Sequence, residues 1–219
     1  MSNSYYICNK KDMLLYAVTD KSWLNGESLY CKVEEALKGG ATFVQYREKH
    51  KDREQFIKEA IEIKELCKKY NVPFVINDNV DIAKEIDADG VHVGQDDLEV
   101  SEARKILGPD KIIGVSAHNL EEALNAQKNG ASYLGVGAVF STNTKDDATC
   151  IKHETVKEIC DTVSIPVVAI GGISAQNILK LKGTNVSGVA VISAIFAQPD
   201  ITEAIKNLKK LSIQITSNY

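Results

Sequence analysis

Short apolar runs alternate with amphipathic stretches along the whole 219-residue chain. The runs are LLYAVTD from Leu14, FVQYR from Phe43, PFVIN from Pro73, GVHVG from Gly90, IIGVS from Ile112, YLGVG from Tyr133, PVVAIGG from Pro166 and GVAVIS from Gly188. Each is short and rich in Val and Ile, as a parallel strand covered on both faces should be. Between them the spacing turns helical. In DREQFIKEAIEIKELCKKY, the residues Phe56, Ala60, Ile63, Leu66 and Tyr70 recur at intervals of three and four, which puts them on one stripe of a helix. Asp52 with Gln55, Asn119 with Glu122 and Asp200 with Glu203 have the spacing of an N-cap and its return partner, and Gly39-Gly40 and Asn129-Gly130 sit where helices should stop.

Eight β-then-α units can build an open doubly wound sheet or a closed barrel. The first strand is followed by no GxGxxG, and polar motifs recur after many different strands rather than at one switch point, so the pattern predicts a single (β/α)8 TIM barrel. The phrases GGATFVQYRE, DADGVHVGQ, NGASYLGVGA and NVSGVAVIS repeat one design, small residues just before an apolar strand. One domain over residues 1–219 is expected, since such barrels run from about 200 residues upward, with loosely attached ends over about residues 1–12 and 212–219.

Composition adds limits. A hydrophobic fraction of 44% and a charged fraction of 26% are ordinary for a soluble protein. The net charge of −4 argues against nucleic acid as a partner, but a small anionic ligand needs only a few focused cations or a metal. No apolar run approaches the ~20 residues of a membrane span, and MSNSYYICNKKDM lacks a signal-peptide core. A cytoplasmic location follows as the expectation. Cys8, Cys31, Cys67, Cys150 and Cys160 form no CxxC pair and read as packing residues, Cys150 alone following a polar loop.

In a barrel the chemistry sits at the strands' C-terminal ends. After the second strand comes QYREK, where alternation puts Gln45, Arg47 and Lys49 toward the barrel mouth and Tyr46 and Glu48 on the other face. Two cations in a confined mouth repel one another unless an anion joins them, so a phosphate-bearing ligand is the natural partner; pairing of Arg47 with a carboxylate is the plainer alternative. The third strand ends in Asn77-Asp78, and the fourth is followed by Gln95, Asp96 and Asp97. One carboxylate from each of two neighbouring strand ends, Asp78 and Asp97, suits Mg²⁺ on a diphosphate; Asp96 reads instead as a helix cap. Ser116 closes the fifth strand with a hydroxyl.

The sixth strand is followed by STNTKDDA, where Thr142 and Thr144 flank Asn143 and Lys145 adds a charge, a donor-rich anion cradle. Gly171-Gly172 after the seventh strand lets the backbone approach an anion, with a short helix expected from Ser174. The amides of Gly172, Ile192 and Ser193 would form the phosphate site that barrels often build after strands seven and eight. His92 lies among small apolar residues and reads as packed. His50, His118 and His153 have no partner spaced for zinc, and no nucleophile elbow appears.

Together, QYREK, VIND, GVHVGQDD, GVSAHN, GVGAVFSTNTKDDA, AIGGIS and GVAVISA, in that order, resemble the thiamine phosphate synthase family over nearly the whole chain. The resemblance implies a magnesium-dependent transferase that condenses hydroxymethylpyrimidine diphosphate with hydroxyethylthiazole phosphate and releases pyrophosphate through a dissociative carbocation. It implies that Gln45, Arg47, Lys49, Asn77, Ser116 and Lys145 bind the pyrimidine diphosphate, with Arg47, Lys49, Lys145 and Ser116 in the catalytic set. The substrate contacts so implied take in the whole QYREK segment, Tyr46 and Glu48 included, and Asn143. Asp78 and Asp97 would hold magnesium, and Thr142, Thr144, Gly172, Ile192 and Ser193 the thiazole phosphate. The chain departs from the family at Ala138 and Ser141, where prolines are usual, which predicts a more mobile loop. Family analogy implies a homodimer. The rival readings are a thiazole tautomerase on the same barrel, which would need no diphosphate clamp, a Schiff-base aldolase, whose lysine should sit on an apolar strand, and a non-catalytic phosphate-binding barrel, which leaves the two aspartates unexplained.

Overall fold

Eight parallel strands close on themselves in chain order: β1 (Leu15–Val18), β2 (Phe43–Tyr46), β3 (Phe74–Asn77), β4 (Gly90–Val93), β5 (Ile112–Ala117), β6 (Tyr133–Gly137), β7 (Val167–Ile170) and β8 (Gly188–Val191). Closure is through β1, which pairs with β2 on one side (Tyr16 opposite Phe43) and with β8 on the other (Tyr16 opposite Ala190). The computed structural model describes residues 6–24, 26–48, 52–141 and 150–216. Every run expected to be a strand is one.

Strand alternation sorts the core into two layers. Inward residues Tyr16, Phe43, Val75, Ile112, Tyr133, Val168 and Ala190 fill the barrel, with Cys8 and Met13 from the N-terminal segment. The rings of Tyr16, Phe43 and Tyr133 meet edge to face, with centroids 4.6 to 5.8 Å apart. Tyr133 fits because β5 carries Gly114 there: a Cβ at that position would lie 2.1 Å from the ring. Outward residues such as Val44, Ile76, Val91 and Leu134 pack against the helices. Fully burying side chains of this size contributes roughly 1.5–3 kcal/mol each.

The helices are α1 (Leu29–Gly39), α2 (Arg53–Lys69), α3 (Val80–Glu85), α4 (Val100–Leu107), α5 (Leu120–Lys128), α6 (His153–Thr162), α7 (Ser193–Phe196) and α8 (Ile201–Thr216). The stripe on α2 buries Phe56, Ala60, Ile63 and Leu66 as expected, with Tyr70 its C-cap. Side-chain oxygens of Asp52, Asn119 and Asp200 accept from the amides of Gln55, Glu122 and Glu203, and Gly40, at φ 103°, ends α1 in the left-handed conformation.

Two expectations need correction, on Ser174 and on Asp96, and the described parts of the two ends pack against the barrel. The ends are held where they are described: Cys8 is buried, its amide bonds the Ser132 carbonyl, and α8 runs on to Thr216, with Ile215 buried and Ser212 Oγ donating to the Leu14 carbonyl. Closing a barrel brings the last helix against the first, so residues 212–216 have a surface to bury against. No helix starts at Ser174; its amide bonds Asn177 Oδ1, and a 3-10 turn follows at Ile178–Leu181. Asp96 does not cap α4, whose N-cap is Glu99 without a side-chain bond. Of the cysteines, Cys8 and Cys67 are buried, Cys160 is half-buried, and Cys31 and Cys150 are exposed.

Candidate functional site

The strands' C-terminal ends bring together side chains from four consecutive strands. Arg47 follows β2 directly. Thr19, fully buried at the end of β1, holds this segment in place: its hydroxyl accepts from the Arg47 amide at 2.9 Å and donates to the Arg47 carbonyl at 3.3 Å. The guanidinium reaches Asp20 at 3.5 Å, with both side chains largely buried. The carboxylate alternative for Arg47 is thus realised, at a distance that leaves room for a stronger anion to compete. Asp20 is itself fixed by the Ser22 amide, 2.8 Å from Oδ1.

Asp78 and Asp97 lie side by side, close enough for Asp97 to act on the Asp78 carboxyl. Asp78 sits at φ 62°, an unusual conformation for a residue with a side chain, and its amide bonds the His92 carbonyl at 2.8 Å. Asp97 is steadied by the Gly94 amide, which donates to Oδ2 at 2.7 Å. Asp78 and Asp97 are both exposed at the rim of the mouth. Crowding that strips water from the Asp78 carboxyl, followed by the hydrogen bond and charge of Asp97, nevertheless pushes it up to about 6, against the pull of Asn77 and Arg47. Among the described residues, no cluster of three or more His, Cys, Asp or Glu gathers as a metal cage. A cation here would therefore rest on two carboxylates plus ligand oxygens and water, which magnesium accepts and zinc does not.

Deeper in the mouth lie Gln45, Asn77, His92 and Ser116. Gln45 is buried and its amide donates to Tyr16 Oη at 2.7 Å. Asn77 Nδ2 donates to Asp78. Ser116 Oγ lies 3.0 Å from His92 Nε2, and its carbonyl accepts from Gln95 Nε2 at 2.6 Å. His92 is buried, in line with the sequence reading, yet both ring nitrogens are engaged, since Nδ1 lies 2.9 Å from Tyr133 Oη.

Tyr46 and Glu48 do not join this group. Tyr46 is fully buried on the helix side, edge-on to Phe56 and donating to Glu59 Oε2 at 2.6 Å; burial, then the Glu59 bond and charge, raises its phenol further. Glu48 pairs with Lys21 at 3.0 Å, and Lys21 also pairs with Glu59 at 2.8 Å. The period of two turns both side chains outward, away from the residues that line the mouth. Lys49, Thr142, Asn143, Thr144 and Lys145 lie outside the described residues.

On the opposite side of the mouth, a cavity of about 610 Å³ opens beside β7 and β8, lined by Gly172, Ile173, Ser174, Ser193, Ala194, Ala197 and Gln198, with Ser141 and, from the segment after β1, Asp20, Ser22 and Trp23. Ile192 sits next to it, half-buried against the inner cluster and N-capping α7. The glycine pair has a reason beyond ligand approach: a Cβ on Gly171 would lie 2.5 Å from Ala138, and one on Gly172 would lie 2.2 Å from the Ser141 carbonyl oxygen. The β6 exit thus rests directly on this backbone. Reading strand ends from the second strand onward misses Asp20, Ser22 and Trp23; DKSW follows the first strand as QYREK follows the second, so the same rule reaches them. Gln198, beyond the short α7, carries no comparable signal.

The family described as thiamine monophosphate synthase matches residues 15–195. Among curated relatives, thiamine-phosphate synthase of Clostridium tetani is 51% identical over 197 residues, covering 90% of this chain and 94% of that protein. The thiamine-phosphate synthase of Persephonella marina is 44% identical over 94% of this chain and 99% of its own. Among solved structures, thiamine phosphate pyrophosphorylase from Pyrococcus furiosus superposes with a TM-score of 0.87 at 38% identity, covering 95% of this chain and 99% of that one.

Proposed function

This chain belongs to the thiamine monophosphate synthase family, a family of transferases, and we propose that it joins hydroxymethylpyrimidine diphosphate to hydroxyethylthiazole phosphate with the help of Mg²⁺. The observation that carries the proposal is the pairing of Asp78 and Asp97 from neighbouring strand ends, with the Arg47 charge acting on the same carboxyl. Two carboxylates brought together at neighbouring strand ends, with Asp78 pushed up to about 6 by burial and by Asp97, are a fitting seat for a dication. When bound, magnesium would supply Lewis-acid charge to diphosphate oxygens.

The chain's own residues do the rest. Arg47, with Lys49 and Lys145, draws the diphosphate into the mouth and stabilises negative charge as it departs. The bond between the pyrimidine methylene carbon and the bridging oxygen breaks, and the electron pair leaves with the diphosphate. The methylene cation is stabilised by its own amino group, and the thiazole nitrogen lone pair then forms the new C–N bond. No side chain has to remove a proton from either partner in this bond exchange. Gln45, Asn77 and Ser116 orient the pyrimidine, and Thr142, Thr144, Gly172, Ile192 and Ser193 hold the thiazole phosphate so that its nitrogen faces the cation. By family analogy the reading includes a homodimer and a cytoplasmic location; among the described residues, no helix is long and apolar enough to cross a membrane.

The test mixes purified protein with both substrates, with magnesium and with excess chelator, and assays thiamine phosphate and pyrophosphate. Equimolar products that vanish with the chelator are expected. No product from the complete mixture overturns the reaction, and product formation indifferent to the chelator overturns the metal.

A further inference from the structure

Five side chains from five strands form one continuous polar chain through the barrel interior. Gln45 Nε2 on β2 lies 2.7 Å from Tyr16 Oη on β1, which lies 2.7 Å from Tyr133 Oη on β6. Tyr133 Oη lies 2.9 Å from His92 Nδ1 on β4, and His92 Nε2 lies 3.0 Å from Ser116 Oγ on β5. Gln45, Tyr16, Tyr133 and His92 are all buried, and desolvation raises both phenols above their ordinary range, so each keeps its single proton.

One proton per hydroxyl gives the chain a direction. The Gln45 amide can only donate through its nitrogen, so Tyr16 accepts from it and spends its own proton on Tyr133. Tyr133 therefore donates to His92 Nδ1. A neutral imidazole whose Nδ1 accepts carries its proton on Nε2, and that proton goes to Ser116 Oγ. With one lone pair taken, the Ser116 hydroxyl is left to donate. Reversing the Gln45 amide would reverse every link and turn Ser116 into an acceptor toward the ligand.

We infer that Tyr16, Tyr133 and His92 are positioning residues that hold Ser116 as a hydrogen-bond donor at the barrel mouth, so that the site selects a ligand presenting an unprotonated heteroaromatic nitrogen there. The identity of that ligand as a pyrimidine rests on the synthase reading; the direction of the chain does not. Nothing is transferred along the relay. It sets which end of each group points where before the substrate arrives.

The test begins with the ligand-free wild-type protein, labelled with ¹⁵N-histidine. Long-range ¹H–¹⁵N spectra report the tautomer of each imidazole, and His92 is assigned by elimination using His50→Gln, His118→Gln and His153→Gln. A proton on Nε2 with Nδ1 bare is expected; a proton on Nδ1 overturns the inference. The second arm is Tyr133→Phe, which deletes the donor to Nδ1 and frees the tautomer. Its kcat/KM for the pyrimidine diphosphate should fall about tenfold, the worth of one oriented hydrogen bond, while KM for the thiazole phosphate stays put. Equal loss for both substrates, or no loss, overturns the selective role; if this variant does not fold, the wild-type tautomer alone decides. A wild-type protein with the expected tautomer that makes no thiamine phosphate sinks the synthase reading and leaves the relay standing.

Discussion

The two sides of the barrel mouth are built from different materials. The ends of β2 to β5 present side chains with charge or directed hydrogen bonds: Arg47, Asn77, Asp78, Asp97 and Ser116. The ends of β7 and β8 present backbone and small residues, Gly171, Gly172, Ser193 and Ala194, around an open cavity. Asp20 belongs to both, holding Arg47 on one side and lining the cavity on the other. Under the proposed function, one fold would handle two anions by opposite means. A leaving diphosphate gains charge and calls for cations, whereas a phosphate that only anchors its substrate is served by amides and a snug wall.

Side-chain deletions should therefore be severe on the charged side. Asp78→Ala or Asp97→Ala is expected to lower turnover at least about a hundredfold and to leave the residual rate less responsive to magnesium, because several kcal/mol of charge stabilisation are lost. Titrating magnesium against each variant checks this; an unaltered magnesium dependence would remove the pair from the metal site. Lys145→Ala should slow diphosphate departure by up to about a hundredfold with thiazole phosphate still bound. Calorimetry showing lost thiazole binding would move Lys145 to the other side of the comparison.

On the backbone side, adding a single methyl group should matter most. Gly172→Ala places a Cβ on the Ser141 carbonyl at φ 61°. Strain of about 1–2 kcal/mol should raise KM for the thiazole phosphate roughly tenfold and leave that for the pyrimidine diphosphate nearly unmoved. A shift in both would show that the sides are coupled, with Asp20 the obvious bridge.

The smallest effect is on stability. The folded carboxyl of Asp78 lies near 6, above the ordinary 3.8. The contribution of protonated Asp78 is then complete below the ordinary value and is lost as pH rises through the raised one. Melting temperature of the metal-free protein, relative to Asp97→Asn, should drop by a few degrees at most (~1–3 °C) across that window, and magnesium should restore it. A flat difference between the two proteins would mean that the carboxylates do not feel each other.

The charged side was legible in the chain because period-two alternation assigns each strand-end side chain to a face. The rule that aims Arg47 and Gln45 inward also turns Tyr46 and Glu48 toward α2, where Glu59 and Lys21 receive them. It had to be applied residue by residue rather than to a motif taken whole. The other side was harder to read. Gly171-Gly172 resembles an anion loop, but its absent side chains also make room for the β6 exit, which no local pattern announces. His92 reads as packed because its neighbours are small and apolar; that its two nitrogens join Tyr133 to Ser116 depends on strands distant in the chain.

The barrel, the strand positions and the family can be read from the order of apolar runs, helical stripes and polar strand ends, because those features are set by local periodicity and by motifs along the chain. Which carboxyls meet, which backbones touch and where Arg47 finds Asp20 are settled only by the closed barrel. Closing the sheet brings β1 against β8 and points residues from all eight strands at one axis, and contacts across that axis have no counterpart in the spacing of residues along the chain.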